Sequence, residues 1–509
     1  MFNWKEKIAF KGDKILWYVI IVLMILSVML VYSSTGRLAY NKQEGNTLFY
    51  LGRQVSLLIG CFGVLFVMQA WSWRWLYRNA TILLVIAMGL LFLAAFGGTN
   101  INGAGRWIKI PVIGLTFQPS EFAKIAVVIY AARLLADFQT DRGCDDMALK
   151  KFWLPLCVIG LIFLDNFSTS ALIGMVCLVM YMVGRIRWRL LGKVVAGMVG
   201  FLAIIILVGL FIPQSQEWGR IGTIVGRLTA FFVGDQKEDN EKQRNYNLQS
   251  NQARIAVAQG GLLGCGPGNS VQRNFLPHAY SDFIYAIIIE EYGLGGGCFI
   301  FLLYAVILFR VGVIGRKTLK TDHLNPRGRP DIFPALLVFG LGLSVVLQAL
   351  FHMGVNVGAL PVTGQTLPLI SMGGTSLWFT SAALGIILNV AYSFSPEGQL
   401  EEENKWKARS EKTVRKRKIR SDEGEDWEEE MVDEIDNGEL PEMKSESLET
   451  PVGRRRFRRP VEKVEVEDDI DIIGEEGIPD IEDQLEIEGK KVLKELRRKG
   501  RRSGILDKE

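Results

Sequence analysis

ILWYVIIVLMILSVMLVY (15–32) carries no charge over eighteen consecutive residues and is preceded by Lys5, Lys7, Lys11 and Lys14. A basic start before an apolar run also opens a secretory signal. This run is too long for that, no small-residue cleavage site follows it, and further apolar runs come after, so it is read as an uncleaved first membrane helix. A hydrocarbon core about 30 Å thick takes roughly 20 apolar residues as helix. The same criterion applied down the chain gives about ten spans, at 15–33, 48–69, 78–97, 119–136, 152–164, 168–184, 193–212, 283–310, 332–353 and 374–394. The fifth and sixth are short and separated only by DNFS, which leaves nine or eleven as the alternative counts. The fold class expected is an all-α polytopic integral membrane protein.

Composition supports a two-part chain. The 509 residues are 49% hydrophobic yet 22% charged, and the two populations are segregated. Long apolar runs lie before residue 395, whereas GEDWEEEMVDE, GRRRFRRP and KELRRKGRR lie after it. Residues 1–395 are therefore read as a membrane domain, and 396–509 as a charged cytoplasmic tail that buries too little apolar surface to offset chain entropy. The segment 480–501 has the pattern of a short helix and is read first as part of a solvated tail, with binding of a partner or of anionic lipid as the alternative. The net charge of +4 averages these two parts and does not point to nucleic acid. Six cysteines (Cys61, Cys144, Cys157, Cys177, Cys265, Cys298) form no CxxC pair and sit largely in apolar runs, as small buried hydrophobes do. His278, His323 and His352 are scattered, so neither a disulfide framework nor a zinc site is expected.

Basic residues set the topology. With the N-terminus inside, the inner segments hold nineteen Lys and Arg, and the short outer loops hold four: Arg37, Lys42, Arg106 and Lys109. Ten spans then return the tail to the cytoplasm. One outer loop, about 213–282 between spans seven and eight, is long enough to be expected to fold over the body. Its polar first half contains GDQKEDNEKQRNYN, and its second half, NQARIAVAQGGLLGCGPGNSVQRNFLPHAYSDF, reads as a short amphipathic helix, a glycine-rich turn and a descent into the membrane.

Charges within spans are costly and so mark candidate function. Glu121 and Lys124, in QPSEFAK, lie three apart on one helical face. They form either an architectural ion pair or a site in which Lys124 meets a phosphate or a catalytic carboxylate. Asp282, in HAYSDFIYAIIIEEYG, lies where the long loop meets the eighth span. In the first turn of that helix it would be favoured as the anion by the helix dipole and could accept a proton from an attacking hydroxyl; the plain alternative is a helix N-cap. Glu290 and Glu291 follow about two turns deeper, roughly 12 Å by helical rise, and at least one must face a polar interior. Arg53 and Arg106 are basic residues near the outer face suited to an anionic ligand; Arg106 sits in NGAGRW, where an exposed turn is the alternative. The uncharged stretch GALPVTGQTLPLISMGGTS (358–376), broken by Pro361, Gly364, Pro368, Gly373 and Gly374, is expected to re-enter the membrane and wall a site, because irregular backbone at that depth survives only against protein or water.

Taken together, these segments resemble the SEDS family of cell-wall proteins (shape, elongation, division and sporulation), its FtsW branch more than its RodA branch. The resemblance runs in order through GRQ (52–54), NGAGRWI (102–108), QPSEFAK (118–124), QSNQARIAVAQGGLLGCGPGNS (249–270), LPHAYSDFIYAIIIEEYG (276–293) and LPVTGQTLPLISMGGTSLW (360–378), covering most of 15–395. It implies ten transmembrane helices in the inner membrane and a peptidoglycan glycosyltransferase that polymerises lipid II at the outer face, in cell division. Asp282 is implied as the catalytic carboxylate, with Arg53, Arg106, Glu121, Lys124, Gln249, Ser250, Glu290 and Gly374 as candidate substrate-binding residues.

The implied chemistry is an inverting transfer. The growing glycan is the donor, it leaves polyprenyl diphosphate, and Asp282 deprotonates the 4-hydroxyl of the acceptor sugar. Basic residues or a divalent cation, Mg or Mn, would stabilise the diphosphate. Implied partners are lipid II, the nascent glycan strand, a class B penicillin-binding transpeptidase, other divisome proteins and membrane lipid. Two departures stand out. Many members read E-A-H-T-D where this chain has His278, Ala279, Tyr280, Ser281 and Asp282, so no role passes to the usual glutamate or histidine. Where P-D-x-G-T is common this chain has LDNFST (164–169), and either Asp165 or Asn166 takes the aspartate position. A lipid II flippase and a non-catalytic scaffold for a transpeptidase are the competing functions.

Overall fold

In the computed structural model, the residues described are 10–410 except 43–45, 98, 102–103, 110–115, 141–142, 146, 190, 198–199, 201–240, 321–330, 402, 406 and 409. Ten helices carry the architecture: α1 (Lys14–Ser34), α2 (Thr47–Ala70), α3 (Trp73–Gly97), α4 (Pro119–Asp137), α5 (Trp153–Asp165), α6 (Phe167–Val183), α7 (Glu241–Gly260), α8 (Ile284–Leu319), α9 (Phe333–Asn356) and α10 (Thr375–Ser393). Six of them, α1, α2, α3, α8, α9 and α10, are long and apolar enough to cross a membrane, and α5 and α6 are shorter apolar helices. This is a polytopic all-α membrane fold. Of the expected seventh span, 193–212, only 193–197 and 200 are described, all of them helical, and the first half of the loop expected at 213–282 lies outside the described residues.

Local sequence explains the helix ends. Asp13 starts α1 by accepting from the Leu16 amide at 2.9 Å, and the guanidinium of Arg310 on α8 pairs with the same carboxylate. Asn46 caps α2 in the same way. Pro119 occupies the first turn of α4, where a missing N–H costs nothing, and Glu121 follows it near the positive helix end. Between α5 and α6 the chain reverses at Asn166, whose side-chain oxygen accepts from Thr169 N, and Ser170 Oγ ties the pair by donating to Ile159 O at 3.0 Å. Two short helices stand where the sequence suggested two short spans.

The packing has a centre. α4 is buried along nearly its whole length and α9 likewise, with α10, α3, α6 and α8 around them. A helix enclosed by other helices has no lipid-facing stripe, which is how α4 carries four charged residues in nineteen. Small strands decorate the bundle. β1 (Thr99–Ile101), β2 (Ala104–Lys109) and β3 (Thr116–Phe117) form an antiparallel three-stranded sheet, and β4 (Gln139–Thr140) pairs with β5 (Gly143–Cys144).

α8 differs most from its expected form. It runs 36 residues rather than 283–310, and it is broken at Gly293, whose φ of 70° and ψ of −172° are not helical. The break frees the carbonyls of Glu290 and Glu291, which accept from Cys265 N and Gly266 N, both at 2.9 Å. Leu294 N in turn donates to Gly261 O at 2.8 Å. The glycine-rich stretch after α7 is thus inserted into the gap in α8. A Cβ on Gly264, at φ +79°, would overlap Glu291 O, and one on Gly293 would overlap Leu262 O, so two close backbone approaches require glycine here.

Candidate active site

Asp282 lies in the turn that precedes α8, not in its first helical turn as the sequence suggested. Ser281 N and Asp282 N both donate to His278 O, at 3.1 and 3.0 Å, closing a tight turn over 278–282, and Phe283 takes the capping position. Three successive carbonyls of this turn are each held from outside. Met372 N donates to Tyr280 O at 3.1 Å, Ser371 Oγ donates to Ser281 O at 2.7 Å, and Asn356 Nδ2 donates to Asp282 O at 3.1 Å. Behind the turn, Ala253 and Ala256 of α7 pack on Leu276, Ala279 and Phe283, a patch of small side chains that lets α7 approach closely.

The segment 358–374 has no helix of its own and folds against the turn, as the expectation of a wall required. A Cβ on Gly364 would lie 3.6 Å from Asp282 Oδ2, so this backbone passes beside the carboxylate. Leu369, fully buried at φ 64°, is a non-glycine residue in the left-handed region, and Tyr304 on α8 donates to the carbonyl before it, Pro368 O. Strain of this kind persists only where surrounding contacts over-determine the chain.

The segment hangs from α9. Gln348, His352 and Asn356 recur every four residues along one face of that helix, all at most 1% exposed. Gln348 Nε2 donates to Thr366 O at 3.0 Å, His352 Nδ1 lies 2.7 Å from Gln365 O, and Gln365 Nε2 donates to Thr169 Oγ1 at 2.8 Å. Because a carbonyl only accepts, the His352 proton sits on Nδ1. At the far end of this ladder is Lys124, which donates to Glu121 at 2.9 Å and to Gln348 Oε1 at 2.6 Å. Both partners of the ion pair are nearly buried, with side chains 8% and 5% exposed. The pair therefore bears on the segment beside Asp282 through Gln348 and Thr366.

Next to the turn is a cavity of about 570 Å³, walled by Leu38, Tyr50, Arg53, Tyr280, Met372 and Gly374 among others. Arg53 supplies its positive charge. Burial, with the Asp282 carboxylate nearby, raises the Tyr280 hydroxyl above its usual value, so it stays protonated as a hydrogen-bond donor. A space of this size with one cation, two tyrosines and apolar walls suits an amphiphilic anion.

The remaining expected residues fall elsewhere. Glu290 is buried and accepts from Ser270 Oγ, from Val271 N at 2.9 Å and from Gln272 N at 3.1 Å, so its carboxylate fastens the glycine-rich loop. Glu291 accepts from Ser33 Oγ of α1, whose carbonyl is held by Arg273 Nη1 at 2.8 Å. Gln249 and Ser250 are half-buried on α7, one turn before its packed alanines. Arg106 belongs to β2, with its side chain outside the described residues. Asn166 caps α6, while the side chain of Asp165 is outside them too. Among the described residues no three His, Cys, Asp or Glu side chains converge as a metal site. The polar ladder on α9 and the tyrosines of the cavity were missed by the sequence reading. The ladder's signal, three polar residues at a spacing of four within an apolar helix, was there to be read.

Residues 13–395 match the cell cycle protein family that groups FtsW, RodA and SpoVE. The chain is 30% identical over 403 residues to the probable peptidoglycan glycosyltransferase FtsW of Marinomonas mediterranea, covering 77% of this chain and 92% of the relative. It is 34% identical over 383 residues to the protein of the same name from Nitrosococcus halophilus, covering 73% and 89%. Among solved structures, the fold matches a chain from a peptidoglycan synthase complex that coordinates polymerization and crosslinking, with a TM-score of 0.56 and 24% identity over 76% of this chain and 99% of that one. It also matches the Thermus thermophilus rod shape determining protein RodA, with a TM-score of 0.51 and 23% identity over 75% and 97%. By the extent of the family match and the identity to these relatives, this chain belongs to the FtsW/RodA/SpoVE family of cell cycle proteins.

Proposed function

We propose that this chain is a peptidoglycan glycosyltransferase that polymerises lipid II, with Asp282 as general base, at the outer face of the cytoplasmic membrane during cell division. The observation that carries the reading is the seating of Asp282: a carboxylate on a turn clamped by α9 and by the 358–374 segment, beside a cavity that presents Arg53. In this reading the acceptor sugar places its 4-hydroxyl against Asp282, which takes the proton as the oxygen attacks the anomeric carbon of the donor. The C–O bond to polyprenyl diphosphate breaks and the configuration inverts. A positioned base of this kind contributes about 10²–10⁴-fold to rate. Arg53 is assigned to a phosphate of the diphosphate, and Tyr280 to a neutral hydrogen bond. A Mg or Mn ion entering with the diphosphate would supply charge neutralisation for the leaving group; the proposal assigns it no step.

In this reading both termini are cytoplasmic, as the asymmetry of basic residues supports. The working partner is a class B penicillin-binding transpeptidase, with other division proteins around it. The fold likeness to a chain of a peptidoglycan synthase complex supports that assignment. A flippase would draw its support from intramembrane acids, and Glu290 and Glu291 are already engaged in holding the glycine-rich loop and α1.

The test is to supply purified chain, alone and with a class B transpeptidase, with lipid II and to resolve the products by size. Glycan polymer is the expected result. Lipid II that crosses a bilayer but stays monomeric would replace the proposal with a flippase.

A further inference from the structure

Asn356, the last residue of α9, uses one carboxamide on three partners. Its Nδ2 donates to Asp282 O at 3.1 Å and to its own helix at His352 O, 2.7 Å away, and its Oδ1 accepts from Ala286 N at 3.0 Å. The side chain is fully buried. Ala286 N is one of the first amides of α8 and shares its hydrogen between the Phe283 carbonyl, at 3.1 Å, and Asn356, while Phe283 offers no side chain to cap this helix end. Asn356 therefore caps α8 from another helix.

Its second role follows from which peptide groups are held. The peptide on the N-terminal side of Asp282 is fixed because its N–H is bound to His278 O at 3.0 Å. The peptide on the C-terminal side is fixed because its carbonyl is bound by Asn356. With both peptide planes held, φ and ψ at residue 282 are set, and the Cα–Cβ bond has one direction. The Gly364 backbone passes beside the carboxylate and bounds the space in which it is aimed.

We propose that Asn356 is a positioning residue that aims the Asp282 carboxylate by fixing the peptide between Asp282 and Phe283. The inference rests on the reading of Asp282 as the general base. Geometry at a reacting centre is unforgiving, and a misplacement near 1 Å costs on the order of 10²-fold in rate. Without the amide donor of Asn356, that peptide keeps only the long bond from Phe283 N to His278 O at 3.4 Å, so ψ at 282 is loosened and the carboxylate samples directions that miss the hydroxyl.

Asn356→Ala and Asn356→Asp separate aiming from capping. Aspartate keeps the oxygen that accepts from Ala286 N and suits the positive end of α8, but it has no N–H for Asp282 O. The experiment measures lipid II polymerisation by the full-length native chain, both variants and Asp282→Asn, with kcat and KM, a pH–rate profile and thermal unfolding of each. The expected result is a fall in kcat of about 10-fold or more in both Asn356 variants with KM little changed, from loss of alignment alone. Asn356→Asp, whose second oxygen would face the Asp282 and His352 carbonyls, should unfold below the native temperature, so rates are compared where each variant is fully folded; there its deficit should persist on the alkaline plateau of its pH profile.

Native turnover by Asn356→Asp would make the residue a cap only and overturn the proposal. So would a deficit abolished at high pH, which would assign the effect to the added charge, or a loss of folded protein as large as the loss of rate. If Asp282→Asn polymerises like the native chain, the parent reading fails with this one. If Asp282→Asn is inactive while Asn356→Asp is normal, only the positioning role fails.

Discussion

Asp282 and the Glu121–Lys124 pair were visible in the sequence because charge inside apolar runs is costly, yet the structure divides their labour. Asp282 sits at a wall beside a cavity; Lys124 is buried against Glu121 and Gln348. The sequence reading left an architectural pair and a ligand-facing lysine open, and Lys124 is linked to the 358–374 segment through Gln348. Lys124→Ala would leave Glu121 buried and uncompensated, at a cost of about 3–5 kcal/mol. Thermal unfolding in detergent should show that loss, and Lys124→Met with Glu121→Gln should recover most of it. A stable but inactive Lys124→Ala chain would instead put the ammonium on the substrate. Asn356 was not legible in the same way: a polar residue at a helix end is ordinary, and only the fold brings it to residue 282. The seat of Asp282 was misread by two residues, since α8 begins at Ile284, because HAYSDF contains no glycine or proline to mark where the helix begins.

At the scale of elements, the decisive device is the break in α8 and the loop that fills it. The glycine-rich run 260–268 was readable as a turn, since so many glycines admit no regular helix. The kink at Gly293 was not, because IYAIIIEEYGLGGGCFIFLLYAVILFR is one apolar run, and its interruption depends on donors 25 residues upstream, Cys265 N and Gly266 N. Gly264→Ala should cost about 3 kcal/mol or more, from a left-handed backbone together with an overlap that the neighbouring carbonyl cannot relieve. Gly268, also at positive φ but with open space around its Cα, is the control, and alanine there should cost about 1 kcal/mol. Unfolding of the two variants in detergent checks the difference. Equal stability of the two would mean that the loop does not fill the break as described.

A clasp joins the first and last described segments of the chain. Gly12, at φ +97°, lets the chain pass against Leu388 O; Lys11 reaches Glu401 at 3.1 Å, and Tyr392 donates to the same carboxylate. The chain past 395 thus begins as helix, with Glu401 bonded to Lys405 at 2.6 Å and Glu403 to Lys407 at 2.9 Å; the rest of the expected tail, beyond 410, lies outside the described residues. Lys405 first, then Tyr392 and Lys11, hold the Glu401 carboxyl down at about 2. A depressed carboxyl stabilises the fold above its ordinary value of 4.5, and the contribution is lost as pH falls towards 2. Glu401→Gln should therefore lower the unfolding temperature at pH 7 and converge with the native chain in strong acid; a difference independent of pH would contradict the clasp. The membrane class, the segregation of charge and the order of the motifs were all legible, because each is written in hydropathy over long windows. The enclosed character of α4 and α9 was not, since hydropathy cannot tell a lipid-facing helix from one surrounded by protein.

The central claim is tested most directly by comparing lipid II polymerisation by the purified native chain and by Asp282→Asn, with the fold of each verified by its unfolding temperature. The account predicts glycan strands from the native chain and a rate lower by about 10²–10⁴-fold from an equally stable Asp282→Asn, the loss that follows removal of a general base. Strands formed by Asp282→Asn at the native rate would contradict it.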